Sequence, residues 1–325
     1  MAIWLHFINV LVPIKTIEKI MSTDFNDFFE TYNKGIKFHD KHLFATGAMN
    51  AGHIEEIVKY FESEGFQTLE IIDGEEYFKD LSDCIGWNCI QRRNFGLLKA
   101  HQLDADIIAT IDDDNIPFDN WGKNLLISKD IDLDYYETDE IAFDPISVTN
   151  HNNLWHRGFP LQLLSKRKSK KIKKNICPDI QADFWNGDPD IDAVCRMEYA
   201  PECKFDNNFF PFSSNKFSPF NSQNTFLSKK VLKDYFLFPH IGRMDDIWAS
   251  YYVEAKGFNV LYNKPSVYQQ RNVHDLTKDM KKEYIGYENN LNLIKELKKN
   301  PNNIKKYLPN KSWQAFKLYQ KILSK

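Results

Sequence analysis

Cysteine is scarce and unpaired in this chain of 325 residues: Cys84, Cys89, Cys177, Cys195 and Cys203 are odd in number and form no Cys-x-x-Cys. That spacing argues against a disulfide framework and for a reducing compartment, so a cytoplasmic location is expected. Long hydrophobic runs are missing too. The N-terminal stretch from Ile3 to Ile14 is broken by His6 and Asn9 and lacks a basic leader and a small-residue cleavage site. It is too short to span a bilayer and is expected to be the first core strand. Neither sign of charge dominates. A net charge of −3 and a pI near 6.3 exclude a whole-molecule attraction to nucleic acid, so any polyanion site must be local. No internal repeat is found. What remains, 42% hydrophobic and 27% charged residues, is the composition of a globular chain with ample core.

One local excess of charge stands out, seven cations in the nine residues Lys166 to Lys174. It is expected to be a solvated loop that steers an anionic acceptor or touches a membrane surface peripherally.

Hydrophobic periodicity predicts strands at Ile8–Pro13, Leu43–Thr46, Thr68–Ile72 and Ile107–Ile111. Helices are expected at Thr16–Tyr32, His53–Gly65 and Trp87–Leu103. Strand, helix, strand in this order predicts a parallel α/β sheet with right-handed crossovers. The middle third, Asp119 to Pro219, loses periodicity and is expected to hold loops and short strands. Helices follow at Ser228–Tyr235 and Asp245–Lys256, then a strand at Phe258–Tyr262 with Val267. A Lys- and Asn-rich helical tail carries a docking stripe of Trp313, Phe316 and Tyr319.

The chemistry is expected where the run Ile107-Ile-Ala-Thr-Ile111 stops on Asp112, Asp113 and Asp114. Three carboxylates cannot lie unpaired inside a sheet, so they belong at its C-terminal lip, where open α/β sheets bind ligands. Asp112 and Asp114 offer hard oxygen donors to Mn2+ or Mg2+, which in turn binds the diphosphate of a nucleotide sugar. An acidic turn or a helix N-cap is the competing explanation. Upstream, Arg92 or Arg93 is placed to offset phosphate charge, unless both arginines pair with Asp104 or Asp106. Downstream, Asp245 and Asp246 open a helix, whose N-terminus favours an ionised carboxylate. Asp246, ahead of Asp245, is the expected general base toward an acceptor hydroxyl. Asp188 and Asp190 flank Pro189 and are candidates for binding sugar hydroxyls, with Trp185 as a flat face for a pyranose ring. A hydrogen-bonded turn would explain the same acids.

The segment Gln91-Arg92-Arg93-Asn94-Phe95-Gly96, followed by the Asp112 strand, resembles nucleotide-sugar glycosyltransferases of the GT-A fold. Gly242-Arg243-Met244-Asp245-Asp246-Ile247-Trp248-Ala249 and Lys281-Lys282-Glu283-Tyr284-Ile285-Gly286 resemble plant reversibly glycosylated polypeptides, the UDP-arabinopyranose mutases. Gly187-Asp188-Pro189-Asp190-Ile191-Asp192-Ala193 and Pro219-Phe220-Asn221-Ser222-Gln223 resemble STELLO-type glycosyltransferases. These resemblances imply a Rossmann-like GT-A domain over residues 1–280, with a mostly parallel sheet flanked by helices, and a C-terminal helical extension over 281–325. They imply a UDP-sugar donor, a divalent cation, Asp73 at the nucleobase, Asp113 beside the donor, and a late histidine on the metal, for which His274 is the candidate. They also imply a glycan or lipid-linked acceptor. The mutases place their glycosylated arginine where this chain has Leu164, and Arg167 lies three residues on. Leucine has no nucleophile, so transfer to an external acceptor is expected over the mutase reaction, with a non-catalytic sugar-nucleotide binder as the remaining alternative.

Overall fold

A computed structural model of the chain describes residues 4–10, 43–50, 67–70, 75–87, 89–112, 114–119, 121–271 and 275–324. Asp73, Asp113 and His274 lie outside the described residues, as do the helices expected at Thr16–Tyr32 and His53–Gly65.

In chain order the elements are β1 (Trp4–Val10), β2 (Leu43–Asn50), β3 (Gln67–Glu70), α1 (Glu75–Ile85), α2 (Arg93–Gln102), β4 (Ile107–Ile111) and β5 (Asn115–Pro117). Then follow β6 (Ile131–Glu137), β7 (Lys170–Ile176), β8 (Ile180–Gly187), α3 (Ala193–Tyr199), β9 (Phe212–Ser214) and β10 (Asn224–Ser228). The chain closes with α4 (Asp245–Ala255), β11 (Val260–Gln269), α5 (Leu276–Lys299) and α6 (Asn310–Ile322). The strands form one sheet in the order β3-β1-β2-β4-β10-β8-β11-β9-β6-β7, with β5 beside β11. Across the run from β3 to β11 all strands point the same way except β10, which is antiparallel to both β4 and β8. This is the mostly parallel α/β sheet with flanking helices and a C-terminal helical region that the sequence predicts.

β4 is buried at every position because β-branched side chains suit a strand covered on both faces. α2 packs on this half of the sheet, and Asn94 fixes it there: its amide donates to the Leu237 carbonyl (2.9 Å) and accepts from the Leu237 amide (2.9 Å). Reciprocal bonds of this kind satisfy backbone groups that no neighbouring strand reaches.

The middle third differs from expectation. It contains β8, a central strand eight residues long, and β7, which takes up most of the lysine run. β8 escapes notice in the sequence because it buries Gln181 and Asp183. Those two satisfy each other, Gln181 Nε2 donating to Asp183 at 2.8 Å, while Gln181 Oε1 accepts from the Leu126 amide. β7 is held by pairing with β6, and Lys171 and Lys173 meet Asp134 at 3.1 and 2.6 Å. The helix expected at Ser228–Tyr235 is a single turn over Lys229–Val231.

At the C-terminus, Phe316 and Tyr319 of α6 pack on Phe236, and Phe316 also meets Phe238 and Tyr252 with ring centroids 5.2–5.5 Å apart. The predicted stripe therefore docks the tail onto the core. α5 runs through the expected boundary at residue 280 and reaches back into the site through Glu283. No described helix is long and apolar enough to cross a membrane.

Candidate active site

Parallel strands bring their C-terminal ends to one edge, so Asp112 after β4 and Asp188 after β8 share a lip with the end of β11 and the start of antiparallel β10. The chain just before β10, Asn221-Ser222-Gln223, lies between them. Asp112 donates its amide to the Gln223 carbonyl (3.1 Å), and one carboxylate oxygen accepts from Arg93 Nη2 at 2.6 Å. Arg93 is fully buried and also donates to the Ser222 carbonyl (3.0 Å) and Oγ (2.7 Å). Burial alone would lower its pKa, but Asp112 raises it. Arg93 is therefore the lip arginine. Arg92 is held elsewhere, donating to Ser82 Oγ (2.9 Å) and lying over the ring of Trp87 at 3.9 Å.

α4 delivers the acidic pair. Its N-terminus is fixed by Arg157, whose Nη1 and Nη2 each donate to Asp246 at 2.9 Å while Nε donates to Asp190 at 2.9 Å. Asp246 also accepts from the Ser222 amide at 3.0 Å. Burial opposes the charge on Arg157, yet Asp190 and Asp246 carry its pKa well above the usual value. Gly158 permits this approach. Its φ is +88°, and a Cβ there would come within 2.3 Å of Ile247 on α4.

A fork bound to both oxygens of Asp246 occupies the lone pairs that a general base would turn to a hydroxyl. The sequence put Asp246 first as the base; the geometry favours its neighbour. Asp245 is buried, its only side-chain partner among the described residues is Gln91, whose Nε2 donates at 2.7 Å, and its pKa is raised to about 7 by burial and then by the adjacent Asp246. A carboxylate poised near neutrality is the kind that exchanges a proton at working pH.

Asp190 is likewise not available for sugar hydroxyls. It is fully buried, and against the cost of burial the guanidinium groups of Arg157, Arg271 and Arg243 hold its carboxyl well below the usual range. Asn221 donates to it as well, at 3.0 Å. Asp188 is more open, its side chain 35% exposed, and pairs with Arg196. Trp185 is 4% exposed in a cluster with His156, Phe184 and Phe205, so its faces are covered by protein and it offers no platform.

Among the described residues no group of three or more His, Cys, Asp or Glu side chains is arranged to hold a metal. The local donors nonetheless suit a hard cation. Asp112 and Asp114 are only partly buried, and beside them the side-chain oxygens of Asn115 and Gln223 are buried without a hydrogen-bond partner among the described residues. Asn115 donates to the same Gln223 carbonyl that accepts from Asp112 (3.1 Å) and sits opposite Gln269 in the β5–β11 pairing. Carboxylate plus amide oxygen is the donor chemistry of Mg2+ and Mn2+. These amides carry no motif of their own, and only their neighbourhood to the acidic triplet hinted at them. A separate cavity of about 700 Å3 lies against β5, lined in part by Phe118, Asp119, Asn186 and Lys264, and none of the expected site residues faces it.

No family model matches the chain, and no curated protein matches it by sequence. The solved structures similar to it include two of one protein. One is S. aureus TarS 1–349 in complex with UDP, with 10% identity and a TM-score of 0.38; the alignment covers 89% of this chain and 66% of that one, just under two thirds of its length. The other is the same protein in complex with UDP-GlcNAc, with 8% identity, a TM-score of 0.39 and coverage of 100% and 91%. The likeness to STELLO-type and mutase proteins thus rests on the short motifs alone.

Proposed function

We propose that the chain is a metal-dependent glycosyltransferase of GT-A type, moving a sugar from a UDP-sugar to an external acceptor. The observation that carries this reading is one unbroken line of charged and polar groups along the lip, Asp112, Arg93, Ser222, Asp246, Arg157 and Asp190, with Asp245 at its flank. Displacing a diphosphate requires positive charge at the leaving group and a base at the incoming hydroxyl. Arg93 and Asp245, at one edge of one sheet, are of the kinds that these two tasks need.

Asp112 and Asp114, with the amide oxygens of Asn115 and Gln223, are the groups that would hold Mn2+ or Mg2+. Bound there, the cation would neutralise the departing diphosphate. Arg93 orients Asp112 and adds a fixed positive charge beside it. Asp245 takes the acceptor proton, its basicity raised by burial and by the adjacent Asp246, which Arg157 holds in place. Asp73, Asp113 and His274 keep the roles the sequence resemblance gives them: nucleobase, donor and metal. A base opposite the leaving group implies inversion at the anomeric carbon.

The arginine that a mutase would glycosylate is Leu164 here, and the nearby Arg167 donates to buried Asp144 at 2.9 Å. That engagement favours an external acceptor. Thermal shift with a panel of UDP-sugars, with and without Mn2+, and release of UDP test the reading. A shift that needs the metal, with turnover lost in Asp112→Ala and Asp245→Asn, is expected. A donor that binds without turnover under any acceptor would leave a binding protein, and retention in the product, read by NMR, would overturn the single displacement.

A further inference from the structure

Beyond the Asp112 end of the lip, three arginines crowd around two aspartates. Arg271, just past β11, is 4% exposed in its side chain and lies 3.8 Å from Asp188 and 3.5 Å from Asp190. Neither distance is a hydrogen bond, and its Nε and Nη2 are buried with no hydrogen-bond partner among the described residues. Arg243 approaches the same oxygen of Asp190 at 3.6 Å, and Arg196 pairs with Asp188 from the other side. Two buried guanidinium nitrogens left unbonded are costly, and a native site seldom tolerates that without a ligand.

The charges facing this cluster can be counted by position. Glu283 and Asp279 engage Arg243 at 2.9 and 3.6 Å, and Asp190 is shared with Arg157 and Asn221. Arg271 is opposed by Asp190 and Asp188 at ion-pair distance without a hydrogen bond, and Arg196 by Asp188 and, at longer range, Glu283 and Asp279. Asp188 is 35% exposed and Arg243 21% exposed, so the cluster opens to solvent. Crowding is felt within it: burial, then Arg271 and Arg243, hold the Arg196 pKa down at about 9. An added anion would relieve that repulsion.

We propose that Arg271, Arg196 and Arg243 form a cradle for a phosphate group carried by the acceptor, a sugar or polyol phosphate. A tetrahedral dianion offers acceptors in several directions, as converging guanidinium forks require. The assignment to the acceptor, which rests on the transferase reading above, follows from the sheet. The cradle sits at the ends of β8 and β11, past β10 from Asp112 and away from the β3-β1-β2 half, where the nucleobase is expected. It still adjoins the donor site, because the Gln270 amide donates to the Asp114 carbonyl at 2.9 Å.

The test is calorimetric titration of the full chain with glycerol 3-phosphate in EDTA, and separately with UDP in Mn2+. Wild type is expected to bind glycerol 3-phosphate in a salt-dependent manner, and Arg271→Gln to weaken it by about tenfold or more while UDP affinity stays unchanged. Should Arg271→Gln fail to fold, Arg196→Gln reads the same loss. Absence of glycerol 3-phosphate binding to wild type, or tighter binding of glucuronate, overturns the phosphate cradle. An equal loss for UDP overturns its assignment to the acceptor. Glycerol 3-phosphate bound with no UDP-sugar turnover would support the cradle and count against the transferase.

Discussion

The lip of the sheet and the C-terminal buttress are held together by opposite means. Around Arg157 the protein buries ionised groups and satisfies them with forks and amides. Around Phe316 it buries rings against rings. Apolar packing is the cheaper way to stabilise a fold, since desolvating a charge pair costs about what the pair returns. The lip's charges are therefore best explained by what they do for a ligand, and the buttress by what it does for the fold.

Substitutions in the two regions should therefore behave differently. Arg157→Ala should be the most damaging, since it removes the one cation that, among the described residues, donates to buried Asp246, and the arginine nearest buried Asp190. A loss of about 3–5 kcal/mol is expected, read by urea denaturation. Phe316→Ala should cost about 3–4 kcal/mol from the cavity it leaves, yet in the folded fraction donor binding should be unaffected. Equal damage to donor binding would erase the distinction between the two regions.

Asp245→Asn should separate stability from activity. The Asp245 carboxyl titrates higher in the folded chain, at about 7, than at its ordinary 3.8, so the contribution it makes is complete below pH 4 and disappears as pH rises through 7. The asparagine variant escapes that loss. Its stability relative to wild type should be unchanged at pH 4 and higher by about 2–4 kcal/mol at pH 8, while turnover falls by about a hundredfold or more. A flat difference across pH would show that Asp245 does not titrate in this range. The smallest effect is expected far from the lip: Lys173→Ala removes an exposed ion pair with Asp134 and should change stability by less than about 1 kcal/mol, less still in high salt.

Much of the contrast was legible in the residues, and what was hidden was hidden for a reason. The apolar run that stops on Asp112 placed β4 and its lip, because a strand leaves a local pattern. Asp245 and Asp246 marked the start of α4 for the same reason. The environment of each did not follow, since two adjacent aspartates look alike until Arg157, 89 residues from Asp246, binds one and leaves the other. Arg271 and the amides of Asn115 and Gln223 belong to this class too: side chains whose partners arrive from distant strands leave no periodic trace. β8 was missed because buried Gln181 and Asp183 break its apolar pattern while satisfying each other.

β7 ends the sheet, pairing with β6 on one side only among the described strands. A bare strand margin invites a second copy of the chain to add its own strand and continue the ladder. Here the margin carries Lys170, Lys171, Lys173 and Lys174, and two such rows brought together would repel along their whole length. The lysine run thus opposes edge-to-edge growth of the sheet.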